Sequence, residues 1–316
     1  MADQALASPR AVERTVIEFD RAKIQRDLLV RRVGRIGLYL NPVFAYFFLW
    51  APIVVLIIFS FNDGGSVSTW QGFTTRWYTN IFNNTIAAGT ESARFSTDLM
   101  LNAVRNSLIV GISATVISTI IGTMVALSLA RGGTFPGKQF LDAILYLPVV
   151  IPEITQGISL ALFFKVVFDF VEAQAGWQMT TGFGTIIIGH VAFCISYVAI
   201  VVRARLADMN PRLEEAARDL GANEWRTFYR VTLPLILPGI VAGALLAFTL
   251  SLDDFVVTFF NSGIGTSTLP IFVYGMLKTR VPPEINAIST LMLLASTLLV
   301  GISLAIQGRN NAATRV

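Results

Sequence analysis

The sequence predicts an all-α fold that crosses a membrane several times, and three observations carry that reading. Hydrophobic residues make up 54% of the 316-residue chain and charged residues only 14%, where a soluble domain carries about a quarter. Mean hydropathy is +0.64. The apolar residues gather into six runs, each long enough for a bilayer core that takes about 20 residues of helix to cross.

The elements follow in order. Residues 1–35 are polar and charged, with no early apolar core, so they do not read as a cleavable signal peptide. The first apolar run then serves as an uncleaved anchor. Within this segment, 11–35 can form an amphipathic helix on the membrane surface, with Val12, Val16, Phe19 and Leu28 near one face. A loosely ordered charged tail is the other reading, and both stand. The spans are expected at 36–60, 102–130, 140–168, 183–203, 235–259 and 285–307. Pro42 and Pro52 interrupt the first, and Pro148 and Pro152 the third. Such breaks are tolerated where neighbours satisfy the freed backbone groups. Between spans one and two, 61–100 is rich in Gly, Ser, Thr and Asn and has room for short helices. Between spans five and six, "LPIFVYGMLK" is amphipathic and too short to cross. The domain plan is a charged segment 1–35, a transmembrane domain 36–307 with its largest internal loop at 204–234, and a tail 308–316.

Lys and Arg set the orientation, since they concentrate on the cytoplasmic side. With the N-terminus inside, the internal segments hold 18 of the 24 basic residues. Arg76, Arg94, Arg105, Lys165, Lys278 and Arg280 are left to the external side and helix edges. Both termini are then cytoplasmic, in a multi-pass membrane protein that contacts lipid along its spans.

Several chemistries are excluded. Cys194 is the one cysteine, so the chain has no internal disulfide framework, and a cysteine metal site has no partners. The net charge of +4 comes from residues flanking spans and points to no nucleic acid. "GGTFPGKQ", Gly132 to Gln139, approaches a nucleotide-binding loop. It ends in Gln139 where a Ser or Thr should hold magnesium, and it follows a membrane helix rather than a strand. It reads as a basic turn. His190 is the one histidine and has no catalytic set around it, so it reads as a packed, hydrogen-bonded side chain. Gly239 and Gly243 make a G-x-x-x-G step, read as close helix packing. No internal repeat of the inverted-repeat transporter kind is visible.

One internal stretch is charged and helix-prone: "EEAARDLGANEWRTFYRVTLPLILPGI", Glu214 to Ile240. Leu213, Glu214, Glu215, Ala216, Ala217, Arg218 and Leu220 are strong helix formers. Asn210 can cap them, Pro211 suits the first turn, and Gly221 suits a left-handed stop. Asn223 can cap a second short helix before Pro234 and Pro238. Two short helices outside the membrane, tied to a span, suit docking into a partner and passing on a push. An ordinary connecting loop is the plainer alternative.

This stretch resembles the EAA loop of permease subunits from binding-protein-dependent ABC importers. Glu215, Ala216, Ala217, Gly221, Val231, Leu233 and Pro234 occupy the motif's places. "WQGFTTRWY", "FTLSLDDFVVTFF" and "LPIFVYGMLKTRVPPEINAIST" are similar to the spermidine/putrescine permeases of the PotC and PotI type. The resemblance implies an ABC type I importer permease fold with six transmembrane helices. It implies ATPase coupling through Glu215, Ala216, Ala217 and Gly221. It implies two ATPase subunits, a second homologous permease and an extracytoplasmic polyamine-binding protein as partners. It implies no cofactor in this chain, since ATP and Mg belong to the ATPase partner.

The acids in the spans point the same way. Glu153 is expected mid-span, and Asp253 and Asp254 toward the outer end of span five. Ions at such depth usually face a bundle interior or an aqueous route. No Lys or Arg partner is evident in the central spans. Asp254 is the first path candidate, ahead of Asp253 and Glu153. Nearby Phe255, Phe259 and Phe260 suit the methylenes and charges of a polyamine. Helix capping by Asp253, or a backbone bond from a protonated Glu153, is the structural alternative. Rival functions are an ABC importer permease with other cargo, or a standalone ion-coupled transporter.

Overall fold

The computed structural model describes residues 21–64, 69–83, 97–279 and 284–313, and among them the fold is helical throughout, with one isolated bridge between Asn62 and Phe73. The helices are α1 (Arg21–Phe59), α2 (Arg76–Phe82), α3 (Thr97–Arg131), α4 (Lys138–Val150), α5 (Glu153–Ala175), α6 (Phe183–Ala207), α7 (Arg212–Asp219), α8 (Glu224–Thr227), α9 (Leu233–Asp253), α10 (Val256–Asn261), α11 (Leu269–Thr279) and α12 (Glu284–Ala313). A π-helical turn, Phe228–Thr232, joins α8 to α9. Among the described residues, five helices are long and apolar enough to cross a membrane: Leu28–Phe59, Asp98–Arg131, Glu153–Ala175, Phe183–Ala207 and Glu224–Asp253. The sixth expected span falls on α12, whose described apolar stretch is Glu284–Leu298.

Residues up to Leu56 form one unit and the rest a second. The described residues of the first unit all belong to α1. It passes through position 35 without a break and holds Pro42 and Pro52 in its interior. Leu38, Phe44, Phe47 and Phe48 lie exposed around it, as lipid requires of a spanning helix. Val12, Val16 and Phe19 lie outside the described residues, while Leu28 is an exposed part of α1.

The second unit is built on α3, α6 and α9, which pack against one another. Ala126, Leu129, Cys194, Val198, Val202, Ile236 and Ala247 are buried between them. The Gly239–Gly243 step is a packing step: a Cβ on Gly243 would stand 3.3 Å from Val198 Cα, and one on Gly239 would meet Arg205 Cβ at 2.7 Å. A second core joins Trp77 and Ile81 of α2, Met100 of α3, Phe272 and Met276 of α11 and Ile288 of α12. Asn106 Nδ2 donates to Gly265 O and Ser267 O, both at 3.0 Å, and fastens the loop before α11 to α3.

Four expectations are corrected. The span expected at 140–168 is two helices, α4 and α5, because Pro152 cannot donate to the carbonyl of Pro148. Glu153 therefore opens α5 instead of lying mid-span. The span expected at 235–259 ends at Asp253, and α10 starts afresh at Val256 after an extended Asp254 (φ −64, ψ 125). Lys165 is no edge residue. It lies in the middle of α5 and pairs with Asp169 at 2.9 Å, so the spans do hold a cation. "GGTFPGKQ" is the basic turn between α3 and α4, with Lys138 Nζ donating to Gly133 O at 2.7 Å.

Candidate functional site

Two regions carry the residues singled out by sequence, and they lie toward opposite ends of α9.

The first is the loop from α6 to α9. Asn210 Oδ1 accepts from Arg212 N at 3.1 Å at the start of α7. The helix stops at Leu220, and Gly221 turns the chain at φ +85, in the left-handed region. Asn223 then caps α8, its side chain accepting from Arg226 N at 2.9 Å. From Glu224 the helical path runs through the π turn into α9. The π register follows from Pro234, which has no N–H to continue an α ladder. Leu233 N instead bonds Phe228 O. The second short helix is thus one piece with a spanning helix.

Burial sorts the two glutamates of this loop. Glu214 is buried, accepts from Thr232 Oγ1 at 2.8 Å, and stands 3.5 Å from Arg131 Nη2 at the end of α3. Glu215 and Ala216 are exposed, as is Gly221. Beside them Leu220, Trp225 and Tyr229 are exposed at 89, 72 and 63%. The loop shows exposed apolar side chains beside the outward acids Glu215, Asp219 and Glu224, held from behind by the inward Glu214. Sequence reasoning missed Glu214, although "EE" on a helix puts consecutive side chains about 100° apart.

The second region is a cavity of about 170 Å³ lined by Pro148, Glu153, Gln156, Phe193, Tyr197, Leu250 and residues 253–257. It brings all three candidate acids together where two helix breaks meet. They differ in what their carboxylates do. Asp254 caps α10: its oxygens accept from Val257 N at 3.2 Å, Thr258 N at 2.9 Å and Thr258 Oγ1 at 2.8 Å. His190 Nε2 stands 3.1 Å from Asp254 Oδ2. The His190 ring is itself fully buried, with Nδ1 at 2.6 Å from Ser251 Oγ and Nε2 at 2.9 Å from Thr258 Oγ1. This cluster ties α6 to α9 and α10. Glycines allow the approach, since a Cβ on Gly157 would meet Phe260 at 2.9 Å and one on Gly189 would meet Val257 at 2.8 Å.

Asp253 and Glu153 are exposed at the cavity, and neither has an ion pair or hydrogen bond to another described residue. Asp254 is occupied as a cap, and Asp253 and Glu153 carry the open carboxylates. The C-terminal ends of α4 and α9 also border the cavity, and helix C-termini carry partial negative charge. Of the aromatics expected nearby, Phe255 lines the cavity. Phe259 packs instead against Phe255 at a tilt and edge-on to Tyr274, and Phe260 packs on Phe259. Phe193 and Tyr197 complete the lining and were not legible, being two apolar-looking positions in a continuous span. Among the described residues no group of His, Cys, Asp and Glu could hold a metal ion.

The family of binding-protein-dependent transport system inner membrane components matches residues 118–316. The chain is 40% identical over 246 residues to the putrescine transport system permease protein PotI of Escherichia coli (strain K12), covering 78% of this chain and 82% of that protein. It is 36% identical over 270 residues to the spermidine/putrescine transport system permease protein PotC of the same strain, covering 85% and 92%. In fold it is similar to a chain of a bacterial ABC transporter that imports the acidic polysaccharide alginate, with TM-score 0.68, 17% identity, and 91% and 99% of the two chains covered.

Proposed function

We propose, for a chain that belongs to the binding-protein-dependent transport system inner membrane components, that it is a permease subunit of an ATP-driven importer of polyamines. The observation that carries the cargo is the pair of open carboxylates, Glu153 and Asp253, on one cavity between two helix breaks. Carboxylates and helix C-termini in a site walled by apolar side chains favour cations over anions. Phe193, Tyr197 and Phe255 on the same cavity suit both methylenes and ammonium groups. The names of the PotI and PotC relatives support the same cargo.

On this reading a second homologous permease completes the translocation path. An extracytoplasmic binding protein delivers the amine, and separate ATPase subunits bind ATP and Mg. The α7–α8 loop lies in the cytoplasm and docks on an ATPase subunit through Leu220, Trp225 and the outward Glu215. Ala216, Ala217 and Gly221 shape the docking helix. Closure of the ATPase pair moves that loop, and α9 carries the movement because α8 and α9 are one helical path. Both termini are cytoplasmic.

The test is uptake of labelled putrescine and spermidine by cells with the complete transport system, with and without this chain. Saturable uptake lost on deletion is expected. Uptake independent of the chain would refute the polyamine cargo.

A further inference from the structure

The break between α4 and α5 strands two carbonyl oxygens. Pro148 O would take its helical bond from residue 152, but Pro152 has no N–H. Ile151 is extended (φ −71, ψ 132), so its carbonyl belongs to neither helix. Gln156 serves both, with Nε2 donating to Pro148 O at 2.7 Å and to Ile151 O at 2.9 Å.

Those two bonds fix which way the amide faces. Turned over, Oε1 would meet two carbonyl oxygens with no proton between them. Both amide hydrogens are consumed, so Gln156 has only an acceptor left to offer. That oxygen accepts from no described residue and is not enclosed, and Gln156 lines the cavity with Glu153 and Asp253.

We infer that Gln156 is a substrate-binding residue of the translocation path, its locked Oε1 accepting an ammonium N–H beside the carboxylates of Glu153 and Asp253. The inference rests on the polyamine reading and adds to its chemistry. Two carboxylates attract any cation, whereas a neutral acceptor held by its own donors favours one that brings hydrogen-bond donors. Primary and secondary amines bring them. Glu153, Asp253, Gln156 and Tyr197, all lining the cavity, are then side chains that can accept from a ligand rich in N–H groups.

The test separates recognition from repair of the helix break. Saturating putrescine uptake is measured for wild type, Gln156→Met, Pro152→Ala and the double variant, each checked for assembly with its ATPase partner. Alanine at 152 supplies the missing N–H to Pro148 O and relieves the break without restoring the acceptor. A binding role predicts that Gln156→Met lowers uptake about tenfold in both backgrounds, the usual scale for a hydrogen bond to a charged group. Recovery in the Pro152→Ala background would overturn the inference, because Gln156 would then only repair the break. So would a Gln156→Met rate within about twofold of wild type. Wild-type cells that take up no polyamine would overturn the cargo reading and this inference together.

Discussion

Thr232 Oγ1 donates to Glu214 Oε1 at 2.8 Å, and Arg131 Nη2 stands 3.5 Å from the same oxygen. One buried carboxylate thereby joins α7, the π turn leading into α9, and the last residue of α3. A docking helix tied only by its two loop ends could tilt without moving a span. This one is fastened at its back to the helices that build the second unit's core. Removing the carboxylate leaves Thr232 and Arg131 facing each other, and unmade buried bonds cost more than exposed ones. Glu214→Ala should raise the ATP hydrolysed per amine imported in reconstituted complexes, while Glu214→Gln, which still accepts from Thr232, should fall between. Unchanged coupling in Glu214→Ala would show that the clamp carries no force.

Gly221 sits at φ +85 with nothing within 4 Å of where a Cβ would lie. Substitution there costs backbone strain and not a clash, about 1–2 kcal/mol for an ordinary L residue. Asn visits this region more readily than a β-branched residue does. Gly221→Asn should therefore keep most ATPase copurification, and Gly221→Val should lose it. Equal loss in both would mean that the exposed surface at 221 matters and its conformation does not.

His190 is fully buried and contacts Ser251, Thr258 and Asp254. Its replacement by Leu would take away the partner of Ser251 Oγ and one contact each from Thr258 Oγ1 and the Asp254 carboxylate. His190→Leu should cut the yield of folded protein and lower its melting temperature in detergent by several degrees. A wild-type melting temperature would argue that the cluster is dispensable to the fold.

Much of this architecture is legible in the sequence. Apolar length marks the long helices. Asn210, Gly221 and Asn223 mark the two short loop helices at the residues where they begin and end. What was not legible are the breaks at 151–152 and 254–255. Apolarity runs straight through both, and a membrane span can bend at proline without stopping. From those breaks follow the other misreadings: Glu153 shifts from mid-span to a helix start, and Lys165 from an edge to the middle of α5. The roles of Asp253 and Asp254 were equally hidden. Neighbours on a helix face different ways, but only the restart at Val256 decides which one caps.

Asp253, Glu153 and Asp254 should therefore separate by phenotype. Asp253 and Glu153 stand open on the cavity, so their neutral isosteres remove charge from the path and leave the helices' bonding intact. Asp253→Asn and Glu153→Gln should each lower saturating uptake about tenfold at normal protein levels, by the scale of a charge-assisted bond. Because both border one cavity and one cargo can bridge them, the double variant should lose less than the product of the two. Spermidine, with more positive charge than putrescine, should suffer more. Asp254→Asn differs in kind. An amide gives the α10 start one acceptor oxygen where the carboxylate uses two, and it turns donors toward Val257 N or Thr258 N. Less folded protein is expected, with the two amines affected alike in what remains. If Asp254→Asn folded normally and changed only the ratio of spermidine to putrescine uptake, the capping role would fail, and Asp254 would return to the path.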